Sequence, residues 1–294
     1  LFVFLLWNFA DLLKISLNEV YLQYKFVLRK KIMNRLGISI LGSGSKGNSI
    51  LIHNAESGIL IDAGFSRKET FSRLSCLGID KSIIKAILIS HEHTDHVSGV
   101  RLISESLEIP VYGTALTLKC LIERNKSSRN MVVFESGSAF NVCEYKVRPF
   151  VVPHDAVDPV GFVVTCRGIR IGIATDLGHL NQLCLHRLSG CDALILESNY
   201  DIEMQMKSER NIMLIKRVVG KHGHLDNKDA INSFDLLISN KTRCLFLSHL
   251  SEECNDDKLV QKLAQAKLAD INRNDIHFAV TKQSEPTPTY WIEC

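Results

Sequence analysis

Long apolar runs, paired cysteines, proline and excess charge are all scarce in this 294-residue chain. With 6 prolines and 17 glycines it is neither collagen-like nor low-complexity, and 46% apolar against 23% charged residues excludes a disordered chain. Nine cysteines (Cys76, Cys120, Cys143, Cys166, Cys184, Cys191, Cys244, Cys254, Cys294) form no C-x-x-C pair. That pattern argues for reduced thiols in a cytoplasm, buried as small hydrophobes, and against a disulfide framework. The uncharged stretch Leu1 to Ala10 falls short of the about 20 residues that cross a bilayer, and Asp11, Lys14 and Glu19 interrupt its continuation. A secretory signal opens on basic residues, whereas this chain opens Leu1-Phe2-Val3-Phe4.

The formal net charge of +3 belongs to the first 32 residues, where Lys14, Lys25, Arg29, Lys30 and Lys31 face only Asp11 and Glu19. The remaining residues hold as many acids as bases, so bulk charge says nothing for a nucleic-acid partner. The first methionine is Met33. Residues 1–32 are therefore expected to be a leader: upstream sequence, disordered, or an interfacial helix. Residues 33–294 are expected to be one domain, with no membrane partner unless the leader is genuine.

Short β-branched runs alternate with helical stretches. Strands are expected at 36–41, 49–53, 58–62, 85–90, 142–151, 160–166, 169–175, 193–197, 243–248 and 276–281. Helices are expected at 66–77, 97–107, 114–124, 180–188, 209–219, 226–238 and 256–269. Hairpins and crossovers together imply an α/β domain with mixed sheets covered by helices. Gly42-Ser43-Gly44-Ser45-Lys46-Gly47 has the spacing of a dinucleotide fingerprint, but a second strand follows it where that fingerprint needs a helix N-terminus. It reads as a tight turn between strands.

The strong signal is His91-Glu92-His93-Thr94-Asp95-His96, which begins where an apolar strand ends. Three of 11 histidines crowd into this six-residue window, a density that chance does not explain. A His-x-His pair places two imidazoles on one side of an extended segment, where both reach a metal. His154, Asp176 and His249 also stand at strand ends. With the cluster they supply three imidazoles for one ion, an Asp and two imidazoles for another, and a bridging carboxylate.

These motifs, with Asp62 in Leu60-Ile61-Asp62-Ala63-Gly64, resemble in order those of the metallo-β-lactamase superfamily. The resemblance spans about 36–282 and implies an αββα sandwich with two mixed β-sheets flanked by helices. By it, His91, His93 and His154 hold one ion, Asp95, His96 and His249 hold the other, Asp176 bridges, and Asp62 supports the ligand loop. The ions are two divalent metals per chain, zinc or manganese, with iron also compatible. Ala174-Thr175-Asp176 lacks the Cys of the β-lactam-hydrolysing branch, and His93 stands where the di-iron branch has Glu.

Further segments, including His154-Asp155-Ala156-Val157-Asp158-Pro159, Leu196-Glu197-Ser198-Asn199 and Gly223-His224-Leu225, are similar to the YycJ (WalJ) subgroup, described as cytoplasmic DNA exonucleases. The resemblance implies a phosphodiester hydrolase, a 5′ to 3′ DNA exonuclease, using a hydroxide activated by two metal ions. Asp95 and His224 would be catalytic, Asp95 orienting the nucleophile and His224 contacting phosphate or protonating the leaving group. Lys207, Arg210, Lys216, Arg217 and Lys221 precede His224; of these Lys216, Arg217 and Lys221 are the candidate phosphate-binding residues. The alternatives are a small-molecule hydrolase of the same fold, acting on cyclic phosphates or thioesters, and a non-enzymatic metal-binding protein. Two departures bear on substrate: Lys46 stands where a small residue is expected, and Lys207 to Met213 lacks proline.

Overall fold

The computed structural model describes residues 35–294; the expected leader lies outside the described residues. In chain order the elements are β1 (Arg35–Gly42), β2 (Ser49–His53), β3 (Gly58–Ile61), α1 (Arg67–Cys76), β4 (Ile84–Leu88), α2 (Thr94–Val97), α3 (Val100–Leu107), β5 (Val111–Gly113), α4 (Ala115–Glu123) and β6 (Met131–Val133). There follow β7 (Phe140–Val142), β8 (Tyr145–Val151), β9 (Val160–Cys166), β10 (Ile169–Ala174), α5 (Gln182–Leu188), β11 (Ala193–Glu197), α6 (Ile202–Lys207) and α7 (Ile212–Val218). The chain closes with α8 (Asn227–Asn232), α9 (Phe234–Leu237), β12 (Cys244–Ser248), α10 (Asp257–Asp270), β13 (His277–Val280) and β14 (Tyr290–Glu293).

The strands form two seven-stranded sheets, ordered β14-β1-β2-β3-β4-β5-β6 and β13-β12-β11-β10-β9-β8-β7. Each is mixed: β3 to β6 run parallel, as do β10 to β13, and the remaining pairs are antiparallel. Alternate residues explain the layering. Ile38, Ile40, Ile52 and Ile59 meet Val147, Phe162, Ile171 and Phe246 between the sheets. The intervening Leu51, Leu60 and Ile87 face outward under Leu74 of α1 and Ile103 of α3. On the other sheet Val163, Leu194 and Leu245 face Leu188, Ala230 and Val260 of α5, α8 and α10. Strands buried on both faces read as continuous apolar runs, which made them visible. The architecture is the expected αββα sandwich.

Several boundaries differ from expectation. The stretch 226–238 is two helices, α8 and α9, meeting at Ser233, and 97–107 begins at Val100 because Thr94–Val97 forms its own turn. The expected strand 142–151 is a hairpin, β7 and β8, turning at Cys143, which sits at φ 50°. The three-residue strands β5, β6 and β7, together with β14 and α6, were not anticipated, since so few residues carry no legible period. Cys166, Cys184, Cys191, Cys244 and Cys254 are buried as expected, but Cys120 is half-buried and Cys76, Cys143 and Cys294 are exposed, Cys76 at a helix end and Cys143 at a hairpin turn.

Candidate metal centre

Parallel pairing of β3 with β4 brings their C-terminal ends together, so that Asp62 follows one strand and Ser90-His91 the other. Parallel β10, β11 and β12 do the same on the second sheet for Asp176, Glu197 and His249. His154 follows β8 on that sheet's antiparallel side. Functional side chains from both sheets thereby meet at one edge of the sandwich, beyond the strand ends.

The seven proposed ligands are brought together. Ligand-type atoms of His91, His93 and His154 lie within 4.8 Å of one another, and so do those of Asp95, His96 and His249; Asp176 joins His91 and His96 in a third such group. Hydrogen bonds select the nitrogen that each ring presents. His154 Nδ1 donates to the Gly223 carbonyl at 3.0 Å, leaving Nε2, 3.3 Å from His93 Nδ1. His96 Nδ1 donates to Asp62 Oδ2 at 2.8 Å, leaving Nε2 toward Asp176 Oδ2 at 3.3 Å. Among the described residues, His91 Nε2, His249 Nε2 and Asp176 Oδ2 are buried with no hydrogen-bond partner. Such orphaned atoms are costly, and their convergence with inward-turned ring nitrogens and carboxylate oxygens fits divalent cations, which would displace the protons those rings carry.

Electrostatics agrees. Burial, aided by the positive field of His96, pushes the His91 pKa well down, and burial lowers that of His154 as well. For His96, burial is outweighed by Asp176, Asp62 and Asp95, which raise it well above the ordinary histidine value. The same balance, with Asp176, Asp95 and Glu197 opposing burial, lifts His249 to about 10. Burial would raise the carboxylates, yet His96 and His249 hold both Asp95 and Asp176 well below the usual range.

Supporting contacts fix the ligand loop. Asp62 accepts from Ser90 N at 2.8 Å, Ser90 Oγ at 2.7 Å and His96 Nδ1. Asp62 and His249 are two of the seven described non-glycine residues with left-handed backbone, at φ 59° and 60°. The glycine-rich segment 42–47 is a loop, as expected, and it reaches the site. Asn48 Oδ1 accepts from Gly44 N and Ser43 Oγ at 2.9 Å each, Asn48 Nδ2 donates to Asp95 Oδ2 at 3.1 Å, and Ser43 Oγ accepts from His249 N at 3.0 Å. Gly64 is required here, because a Cβ would lie 1.6 Å from the Asp95 carbonyl oxygen. Glu92, within the cluster, turns away and accepts from Val157 N at 3.1 Å, tying the loop to the segment after His154.

His224 is at the rim, its Nδ1 donating to Glu197 Oε1 at 2.7 Å and its ring 5.2 Å from that of His154. Glu197 is fully buried and was not among the expected site residues. Its signal in the sequence is a carboxylate ending the wholly apolar run Ala193 to Leu196, a placement that requires buried partners. Beside these groups a cavity of about 450 Å³ is lined by Asp155, Arg210, Arg217 and His224. Arg217 pairs with Asp155, and Arg210 with Glu253 at 2.8 Å. Of the three candidate phosphate-binding residues only Arg217 lines this cavity. Lys216 is exposed elsewhere, since successive helical residues point about 100° apart, and Lys221 is exposed beyond the end of α7. Lys207 is drawn off by Glu203 at 3.1 Å.

Two facing sheets, flanking helices and a histidine–aspartate cluster at the strand ends define a metallo-β-lactamase-type hydrolase. Residues 58–249 match the Beta-lactamase superfamily domain, and the chain belongs to that family. It is 30% identical over 248 residues to Exodeoxyribonuclease WalJ of Streptococcus pneumoniae, covering 80% of this chain and 92% of that protein. It is 28% identical to Exodeoxyribonuclease YycJ of Bacillus anthracis over 77% of this chain and 86% of the relative. In structure it is similar to the metallo-beta-lactamase fold protein YhfI of Bacillus subtilis, with a TM-score of 0.67 over 88% of this chain and 100% of the other at 14% identity. Among the described residues no helix is long and apolar enough to cross a membrane.

Proposed function

We propose that this protein is a metal-dependent phosphodiester hydrolase acting on nucleic acid as an exonuclease, with DNA its substrate and the cytoplasm its compartment. The observation that carries the reading is the joining of the ligand cluster, through Glu197, to a histidine at the rim of an arginine-lined cavity. The two relatives named as exodeoxyribonucleases support it across most of their length.

His91, His93 and His154 would hold one divalent ion and Asp95, His96 and His249 a second, with Asp176 between them; zinc, manganese and iron all suit such donors. When bound, such a pair offsets charge on a phosphodiester and makes water acidic enough to act as a nucleophile near neutral pH. The chain's own groups do the rest. Asp95, held ionised, offers a carboxylate oxygen to orient the attacking water. Glu197 fixes the His224 ring by its Nδ1–H, so Nε2 is the atom placed to touch a phosphate oxygen or deliver a proton to the leaving oxygen. Arg210 and Arg217 present guanidinium groups whose fork matches phosphate.

The test is to incubate metal-loaded protein, and its His91→Ala variant, with DNA and RNA labelled at either end and with a bis-aryl phosphodiester. Stepwise loss from the 5′ end of DNA, abolished by chelator and by the substitution, is expected. Turnover of the small ester alone would overturn the nucleic-acid reading.

A further inference from the structure

Helix α5, with seven residues, extends about 10 Å, whereas the seven residues of β8 extend about 23 Å. Over β8 to β10 the helix therefore roofs only the part nearest the metal centre, where Cys184 and Leu188 share one apolar cluster with Phe150, Val163 and Ala174. On the uncovered part the outward positions are Lys146 and Arg148 of β8 and Arg170 of β10. With His186 and Arg187 of α5 they line a groove of about 540 Å³ that no carboxylate enters.

Arg73, Arg210, Arg217 and Arg273 each pair with a carboxylate. Among the described residues Arg148, Arg170 and Arg187 have none: Arg148 reaches the Gly137 carbonyl at 3.5 Å, Arg170 reaches that of Arg187 at 3.3 Å, and the buried Nε of Arg187 has no partner. Arg35, Arg67, Arg101, Arg124 and Arg129 also have no carboxylate partner among the described residues; what distinguishes this face is that three such arginines line one groove. Asp192, close in the chain, is taken up by the Arg170 main-chain amide at 2.9 Å and by Arg243 at 3.7 Å. Half-buried cations crowded together without counter-charge repel one another, and a polyanion relieves that repulsion.

We propose that this groove is a second contact surface for the phosphate backbone of the substrate, holding the strand beyond the end being cleaved. The inference rests on the nuclease reading above. Six residues along β8 and beyond separate Arg148 from His154, about 20 Å, or about six phosphates of one duplex strand. Half-buried His179, which precedes α5, donates from Nδ1 to the carbonyl of exposed Lys221, which follows α7, at 2.9 Å. A neutral body thus meets a polyanion through a local face.

The experiment measures binding of a labelled DNA longer than this span, in chelator, across a salt series, and separately the metal-loaded hydrolysis of that DNA and of a dinucleotide. In Arg148→Gln/Arg187→Gln, with unchanged melting temperature, affinity for the long DNA falls about tenfold and the log–log salt slope becomes shallower by about two, with dinucleotide turnover retained. Arg148→Lys/Arg187→Lys keeps the slope. A folded glutamine variant with unaltered affinity and slope overturns the groove, whether or not DNA is cleaved. Groove-dependent binding without cleavage of any DNA by the unsubstituted protein overturns the nuclease reading and leaves the groove standing.

Discussion

The single carboxylate oxygen Oε1 of Glu197 accepts hydrogen bonds from His224 Nδ1 at 2.7 Å and from His249 Nδ1 at 2.8 Å. Its other oxygen accepts from the main-chain amides of Leu177 and Leu225 at 2.9 and 3.1 Å. One buried side chain therefore orients a proposed ligand, a proposed catalytic residue and the two loops that flank them. Glu197→Gln, which replaces an acceptor by a donor toward one of these partners, should cost about 10 to 100-fold in activity or metal affinity. Glu197→Ala, which strands two amides, should lower unfolding free energy by about 2 to 4 kcal/mol. Denaturant melts and metal content measured on both variants check this.

His224→Ala should retain both metals and lose about a hundredfold or more in turnover. Metal analysis alongside kinetics on end-labelled DNA separates the two properties. Full turnover in this variant would remove His224 from the chemistry.

In the metal-free protein His96 and His249 hold their protons at neutral pH, because the surrounding carboxylates outweigh burial. Cations must displace those protons, so metal uptake at pH 7 should release protons and affinity should climb with pH. The raised values also stabilise the metal-free fold below the unfolded histidine value, and that contribution is lost as pH rises through about 10. Calorimetric titrations in buffers of different ionisation enthalpy, and melts in chelator between pH 7 and 10.5, would show an uptake without proton release if this is wrong.

Gly64→Ala should be among the most damaging small substitutions, since the new methyl would overlap the Asp95 carbonyl oxygen, which also accepts from Asn48 N at 2.8 Å. A loss of at least about 3 kcal/mol, with loss of metal, is expected from a clash against rigid backbone. Thermal melts and metal analysis of the purified variant test it.

Strand ends carried most of what could be read in advance. Asp62, His91, Asp176 and His249 each close an apolar run, and a buried strand that ends on a ligand-type side chain is visible in one dimension. Glu197 obeys the same pattern, but its partners, His224 and His249, are 27 and 52 residues away, so its role was invisible without the fold. Edge strands β6, β7 and β14 were lost because three or four residues show no period. The split of α8 from α9 at Ser233 was lost because both helices bury one face in the same layer.

By itself the sequence determined the layered α/β class, the order of the ligand motifs and the donor chemistry that suits divalent metal, because periodicity and residue type are local properties. The tertiary structure decided which nitrogen each histidine presents, which basic residues face the cavity, and that Lys146, Arg148, Arg170 and Arg187 meet on one face. Those depend on the direction of side chains brought together from distant strands, and on how much of a sheet a short helix covers.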